Sequence, residues 1–217
     1  MGRAWLVIEK RGADPALAES LETMKETPPS LAAVINRRSS GRLKEPGPTE
    51  EQLETIIRAG MSAPDHGRLR PWRFVIFEGE ARGRFGDILA AALAKRLENQ
   101  GIIPADHQLN KERNKLLRAP CVVAVCAVID HDNRIPWTEQ FAAVAATCEN
   151  MLIAATALGI GSMWRTGEPS YDASVKEALG LRENDMITGW IYLGSAEKAP
   201  TSASLDEGFD SHVSYWS

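Results

Sequence analysis

The sequence predicts an α+β fold, a mixed central sheet packed by several helices. Three observations carry this. Cys121 to Ile129 is a continuously apolar, valine-rich run, as expected of a central strand buried on both faces. Helical periodicity flanks it, at Leu53, Ile56, Ile57, Gly60 and Met61, and again at Phe85, Ile88, Leu89, Ala92, Leu93 and Leu97. A third helix, from about Trp137 to Leu158, is small or apolar around much of its circumference. Such a helix must be buried, either as the central core helix or at the centre of a dimer interface.

The remaining elements follow in order. Residues 1–29 read as an N-terminal extension: apolar residues are sparse, Ala16 to Lys25 suits a short helix, and Pro28-Pro29 closes the segment. Residues 30–217 form the main domain. Ser30 is placed to cap a helix with Leu31, Val34 and Ile35 on its apolar face. Thr49-Glu50-Glu51-Gln52 is a capping box and opens the next helix. Phe74 to Phe77 is a short apolar strand, and residues 106–118 form a charged, solvated helix. Gly159 ends the long helix. Within that helix Glu149-Asn150 interrupts the apolar face, and both need partners if buried. Gly159 to Gly167 is a short strand or loop, Pro169-Ser170 starts a short helix, and Met186 to Leu193 is the last core strand. Tyr215 and Trp216 near the C-terminus suggest docking on another surface.

Bulk properties narrow the function. The chain has 217 residues, enough for a real core. Its net charge of −4 does not indicate a nucleic-acid surface, so any anion site is local. Arg68 to Arg73 would otherwise suit a nucleic-acid module, but the acidic balance argues against it. The three cysteines include no CxxC pair; Cys121 and Cys126 lie in the apolar run and read as reduced core residues, which favours a cytoplasmic setting. The four histidines are far apart, and no metal site is expected. No apolar run approaches the roughly 20 residues of a membrane span.

Three stretches carry chemistry. Asn36-Arg37-Arg38-Ser39-Ser40-Gly41-Arg42 gathers arginines and serines at a helix end. Guanidinium groups bind phosphate bidentately; the same residues also suit a solvated turn that complements the helix dipole. Met61 to Phe77 runs from a helix end through a turn-rich loop (Ser62, Asp65, His66, Gly67) into a strand. Such a loop between rigid elements is a good place for a binding site. Gly159 to Gly167 places Trp164, Arg165 and Thr166 among glycines that allow close approach of a ligand.

Together these stretches resemble the FMN-dependent nitroreductases, in particular their compact NAD(P)H nitroreductase subgroup. Asn36-Arg37-Arg38-Ser39 resembles the family's arginine-serine motif. Arg58-Ala59-Gly60-Met61-Ser62-Ala63-Pro64-Asp65-His66, followed by Pro71-Trp72-Arg73-Phe74, resembles the subgroup's RAGMxAPDH and PWxF segments. Gly161-Ser162-Met163-Trp164-Arg165-Thr166-Gly167 resembles its GxxWRSG. The match runs from about residue 31 to about residue 200.

The resemblance implies a nitroreductase-like homodimer with two FMN molecules at the subunit interface. It implies that Arg37, Arg38 and Ser39 hold the phosphate and ribityl chain. Ser62 and His66 would reach the flavin of the other subunit, and Trp164, Arg165 and Thr166 would complete the first subunit's side. NAD(P)H is the implied hydride donor, with ping-pong transfer to an electron-poor acceptor such as a nitro compound or a quinone. No protein acid or base is required, so no catalytic side chain is assigned. The alternative is a flavin-binding protein of this fold that dehalogenates, oxidises or processes flavin. Arg70 stands where many relatives carry glutamine, which bears on the polarity of the pocket.

Overall fold

The computed structural model describes residues 28–198 and 209–216. Residues 1–27, including the short helix expected at Ala16 to Lys25, lie outside the described residues. Helix α1 spans Pro29–Asn36, strand β1 Leu43–Lys44 and helix α2 Glu50–Met61. Strand β2 (Trp72–Glu78) leads to helices α3 (Ala81–Asn99) and α4 (Asp106–Arg113). Strand β3 (Cys121–Ala127), helix α5 (Trp137–Ala157), strand β4 (Gly161–Arg165), helix α6 (Ala173–Ala178), strand β5 (Met186–Ala196) and helix α7 (Phe209–His212) follow.

The five strands form one sheet in the order β1-β5-β3-β2, with β4 pairing β5 beside β1. All four ladders are antiparallel. Among the described residues the parallel pairing is one bridge, Ser39 to Ser162, outside the ladders.

Strand β3 is buried at every position. Its side chains alternate between two cores, as the pleat dictates. Val122, Ala124 and Cys126 face one core with Phe77, Phe85, Leu89 and Trp190. Cys121, Val123, Val125 and Ala127 face a second with Ile56, Val144, Met151 and Ile191. Each fully buried side chain of this size contributes about 2 kcal/mol of transfer free energy. Burial pushes the thiols of Cys121, Cys126 and Cys148 up to about 12, so all three are inert core groups.

The capping box forms as expected. Thr49 Oγ1 accepts the Gln52 backbone N–H at 3.2 Å, and Gln52 Oε1 accepts that of Thr49 at 2.9 Å. Helix α2 then packs on α5. A Cβ on Gly60 would sit 2.8 Å from Met151 Cγ, so glycine sets how closely the two helices cross.

Three local expectations change. Helix α1 begins at Pro29 with Pro28 as its cap, and Ser30 supplies no side-chain cap bond. Proline fixes the entry φ and needs no N–H partner there. The buried residue of α1 is Ala33, while Leu31 and Val34 are exposed. The charged segment 106–118 divides into α4 and a 3-10 turn at Leu116–Arg118, because Leu116 must reach the first core.

One buried carboxylate ties the sheet's loops together. Asp185 accepts the N–H of Ile129 at 3.0 Å, the N–H of Arg182 at 2.8 Å and the Arg182 guanidinium at 2.9 and 3.1 Å. The same guanidinium donates to the Ile129 carbonyl at 2.8 Å. Burial alone would raise the Asp185 pKa; these donors outweigh it and hold the carboxyl below its ordinary value.

Candidate functional site

The residues expected at the site fall into two groups. The first lies where α1 meets the sheet edge. The Ser40 N–H donates to the Ser162 carbonyl at 2.8 Å. That bond joins the Arg37 to Ser40 segment to β4, so the arginine-serine motif and the tryptophan motif become neighbours although more than 120 residues separate them. Arg37 Nε pairs with Glu149 Oε1 on α5 at 3.1 Å, and both side chains keep solvent access. Arg38 Nη1 donates to the carbonyls of Ile35 at 2.7 Å and Arg37 at 2.8 Å. It thereby satisfies acceptors that the end of α1 would leave open. Ser39 is exposed.

On β4 the side chains alternate. Trp164 packs with the second core and donates from Nε1 to the Thr188 carbonyl at 3.2 Å. A Cβ on Gly189 would lie 1.9 Å from that nitrogen, so glycine is what admits the indole. Arg165 turns to the other face, its guanidinium carbon 5.7 Å from the centroid of the Tyr192 ring. That distance suits a cation–π contact. Burial pushes the Tyr192 hydroxyl up to about 12, against the opposing pull of Arg165. Thr166 follows the strand and is exposed. Trp164 and Arg165 therefore do not present their side chains to one ligand face. Two buried hydroxyls at this edge, Ser162 Oγ and Thr188 Oγ1, have no hydrogen-bond partner among the described residues.

The second group lies between α2 and β2. Ser62 caps α2, donating from its N–H (3.2 Å) and Oγ (2.7 Å) to the Ala59 carbonyl. Asn150 Nδ2 donates to the same carbonyl at 3.2 Å. Glu149 and Asn150, the polar interruption in α5, thus find one partner in each group. His66 Nδ1 pairs with Glu139 Oε2 near the start of α5. Asp65 Oδ2 accepts the Arg70 N–H at 2.6 Å. The backbone between them is left-handed at Gly67 (φ 74°) and at two non-glycine residues, Arg68 (φ 57°) and Arg70 (φ 51°). Each such arginine costs about 1 kcal/mol, so the packing must hold this loop in place. Gly67 lies against Ile135, where a Cβ would come within 2.5 Å of Cδ1.

The groups attach to α5 at Glu149 and Glu139, about 15 Å apart along the helix at 1.5 Å per residue. Sequence reasoning named the residues of both groups but not their supports. Glu139 lies 73 residues from His66, and the orphan hydroxyls of Ser162 and Thr188 carry no local sequence signal. Among the described residues no cluster of His, Cys, Asp and Glu could hold a metal ion.

An antiparallel sheet with helices on both faces, and an arginine-serine segment joined to a tryptophan-bearing edge strand, define a nitroreductase-like protein. Residues 34–195 match the Nitroreductase family model, and the chain belongs to that family. Two relatives are named "Putative NAD(P)H nitroreductase": YdjA of Escherichia coli K12 is 41% identical over 182 residues, covering 82% of this chain and 94% of its own. The other, from Haemophilus influenzae, is 33% identical over 172 residues, covering 78% and 90%. Among solved structures, a nitroreductase-like family protein from Bacillus cereus superimposes with a TM-score of 0.72 at 21% identity, over 88% of this chain and 98% of that one. A nitroreductase with bound FMN from Bacteroides fragilis gives 0.65 at 22% identity, over 88% and 100%. These two likenesses establish the α+β nitroreductase fold.

Proposed function

We propose that this chain is an FMN-dependent oxidoreductase. It takes hydride from NAD(P)H and passes it, by ping-pong, to an electron-poor acceptor such as a nitro compound or a quinone. The bond between Ser40 and Ser162 carries this reading, because it sets Arg37 to Ser39 beside Trp164 to Thr166. The relatives named as NAD(P)H nitroreductases and the FMN-bound neighbour of the same fold support the cofactor and the donor.

The residues present fit the cofactor. Guanidinium groups with an exposed serine suit a phosphate. The unpartnered buried hydroxyl of Ser162 sits at the same edge as a spare donor. FMN, when bound, supplies the two-electron redox chemistry. The chain's residues bind and orient. Arg37 exchanges part of its pairing with Glu149 for the phosphate, and Arg38 holds the end of α1 in shape. Ser39 donates to the phosphate or ribityl chain, and Trp164 offers a flat wall. Arg165 contributes through its backbone and through its packing on Tyr192, and Thr166 through its exposed hydroxyl. Ser62 and His66 serve the flavin of the second subunit; their offset along α5 supports a site shared across a homodimer. Leu31, Val34 and Met61 are exposed on α1 and α2, which both pack on α5, and they suit the dimer interface. Residues 1–29 are an extension to the domain that begins at residue 30. Among the described residues no helix is long and apolar enough to cross a membrane. The three buried thiols support a reducing, cytoplasmic setting.

The test is an absorbance spectrum of the purified protein, before and after anaerobic NADPH or NADH. Flavin bands that bleach, and recover on adding an acceptor, bear out the reading. Bands that resist both nicotinamides leave a flavin protein of other chemistry. No flavin after incubation with FMN overturns the site.

A further inference from the structure

The loop after Ser62 presents two cations that the fold itself does not use. Arg68 and Arg70 are exposed, and neither guanidinium has a hydrogen-bond or ion-pair partner among the described residues. Their neighbour Arg73 differs, for it donates to the Gly180 carbonyl at 3.2 Å. The backbone that carries the pair is fixed on three sides. Asp65 holds the Arg70 N–H, His66 is paired to Glu139, and Gly67 is seated on Ile135. Both arginines hold a left-handed backbone that L side chains rarely adopt. A solvated surface turn has no need of two such residues, since glycine would serve at each. Arginine there is accounted for if its charge is used.

We propose that Arg68 and Arg70 form an anion clamp at the mouth of the flavin site, selecting a ligand with a phosphate or carboxylate group. The inference rests on the flavin-site reading, because Ser62 and His66 of the same loop are placed at the flavin. Two ligands carry the chemistry: the 2′-phosphate of NADPH, or an anionic group on the acceptor. Arginine suits both through its forked, bidentate donors. In neither case does the clamp take part in hydride transfer; it binds and orients.

The variants are Arg68→Ala, Arg70→Gly and the double variant. Glycine at position 70 tolerates the positive φ better than arginine does, so the fold is retained when the charge is removed. With excess FMN, kcat/KM is measured for NADPH and NADH, and for nitrobenzoate and nitrobenzamide as charged and neutral acceptors. Binding of NADP⁺ and NAD⁺ to the FMN-loaded protein is measured by calorimetry at two salt concentrations. The double variant is expected to lose about tenfold in binding its anionic ligand, roughly one bidentate contact. The counterpart that lacks the clamped group, NADH without the 2′-phosphate or nitrobenzamide without the carboxylate, should change little, and added salt should shrink the difference. A loss confined to NADPH and NADP⁺ identifies the donor as the clamped ligand; a loss confined to nitrobenzoate identifies the acceptor. Equal effects on both members of each pair, or none, overturn the clamp while flavin bleaching by NAD(P)H still stands. Absence of flavin binding in the parent protein would instead overturn the reading on which the clamp rests.

Discussion

Asp185 and Glu149 are both carboxylates paired with an arginine, and the two pairs are built differently. Asp185 is almost fully buried, with a side-chain exposure of 3%, and its two oxygens accept four donors from Ile129 and Arg182. Glu149 is half-exposed, at 45%, and meets Arg37 through one contact at 3.1 Å. The first cluster is closed and spends its charge on joining the loop after β3 to the turn before β5. The second is open to solvent, and in the proposed site an incoming anion takes over part of its arginine. A carboxylate–arginine pair whose acceptors are all matched inside the chain acts as scaffold, whereas a solvent-open pair leaves its arginine able to re-pair, as the proposed flavin site requires of Arg37.

The largest expected effect lies where scaffold and site meet. Gly189→Ala would drive a methyl group into the Trp164 indole at 1.9 Å, with no room to yield between β4 and β5. We expect a loss of about 3 kcal/mol in urea unfolding, or failure to fold, together with loss of flavin binding. Wild-type stability in this variant would show that Trp164 does not depend on the scaffold.

Asp185→Ala should come next. It strands the buried Ile129 N–H and should cost about 1–3 kcal/mol in the same measurement, with flavin affinity unchanged in whatever remains folded. Asp185 and Asp172 also make a pH prediction. Burial raises the pKa of each, but hydrogen bonds from Arg182 and the N–H groups of Arg182 and Ile129, and from Ser174, Arg96 and the Val175 N–H, bring both below the ordinary value. A carboxyl whose folded pKa is lowered stabilises above its unfolded pKa of about 3.9. That contribution is lost as pH falls through the lowered values. Tm should fall as the pH drops below about 4, and Asp185→Asn should flatten the slope.

The open pair should give the smallest change in stability and the clearest change in binding. Arg37→Gln removes an exposed contact, so unfolding should shift by less than about 1 kcal/mol. FMN affinity should fall about tenfold, as loss of one charge-assisted contact to phosphate implies. A large loss of stability with unchanged flavin titration would move Arg37 from the site to the scaffold.

Much of this division was legible in the sequence. The Cys121 run announced a strand buried on both faces, and the Thr49 to Gln52 box announced the start of α2, because both signals are local. Glu149-Asn150 asked for partners, and the structure supplies Arg37 and the Ala59 carbonyl. Long-range facts were not legible. Nothing near His66 signals Glu139, and nothing in Gly-Trp signals that Gly189 makes room for the Trp164 indole. The left-handed backbone at Arg68 and Arg70 was hidden too, since Asp65 bonds both N–H groups across the turn and arginine does not itself prefer that conformation. Strand β1 is two residues long and exists through its register with Ser195 and Ala196.

The buried cysteines have a practical corollary for labelling. Burial pushes all three thiols up and keeps them from solvent, so they are poor nucleophiles toward thiol reagents near neutral pH. A cysteine introduced at an exposed position such as Thr166 would react with maleimide dyes against an almost silent background. Such a Thr166→Cys variant would take a single fluorophore beside the arginine-serine edge without removal of the native thiols.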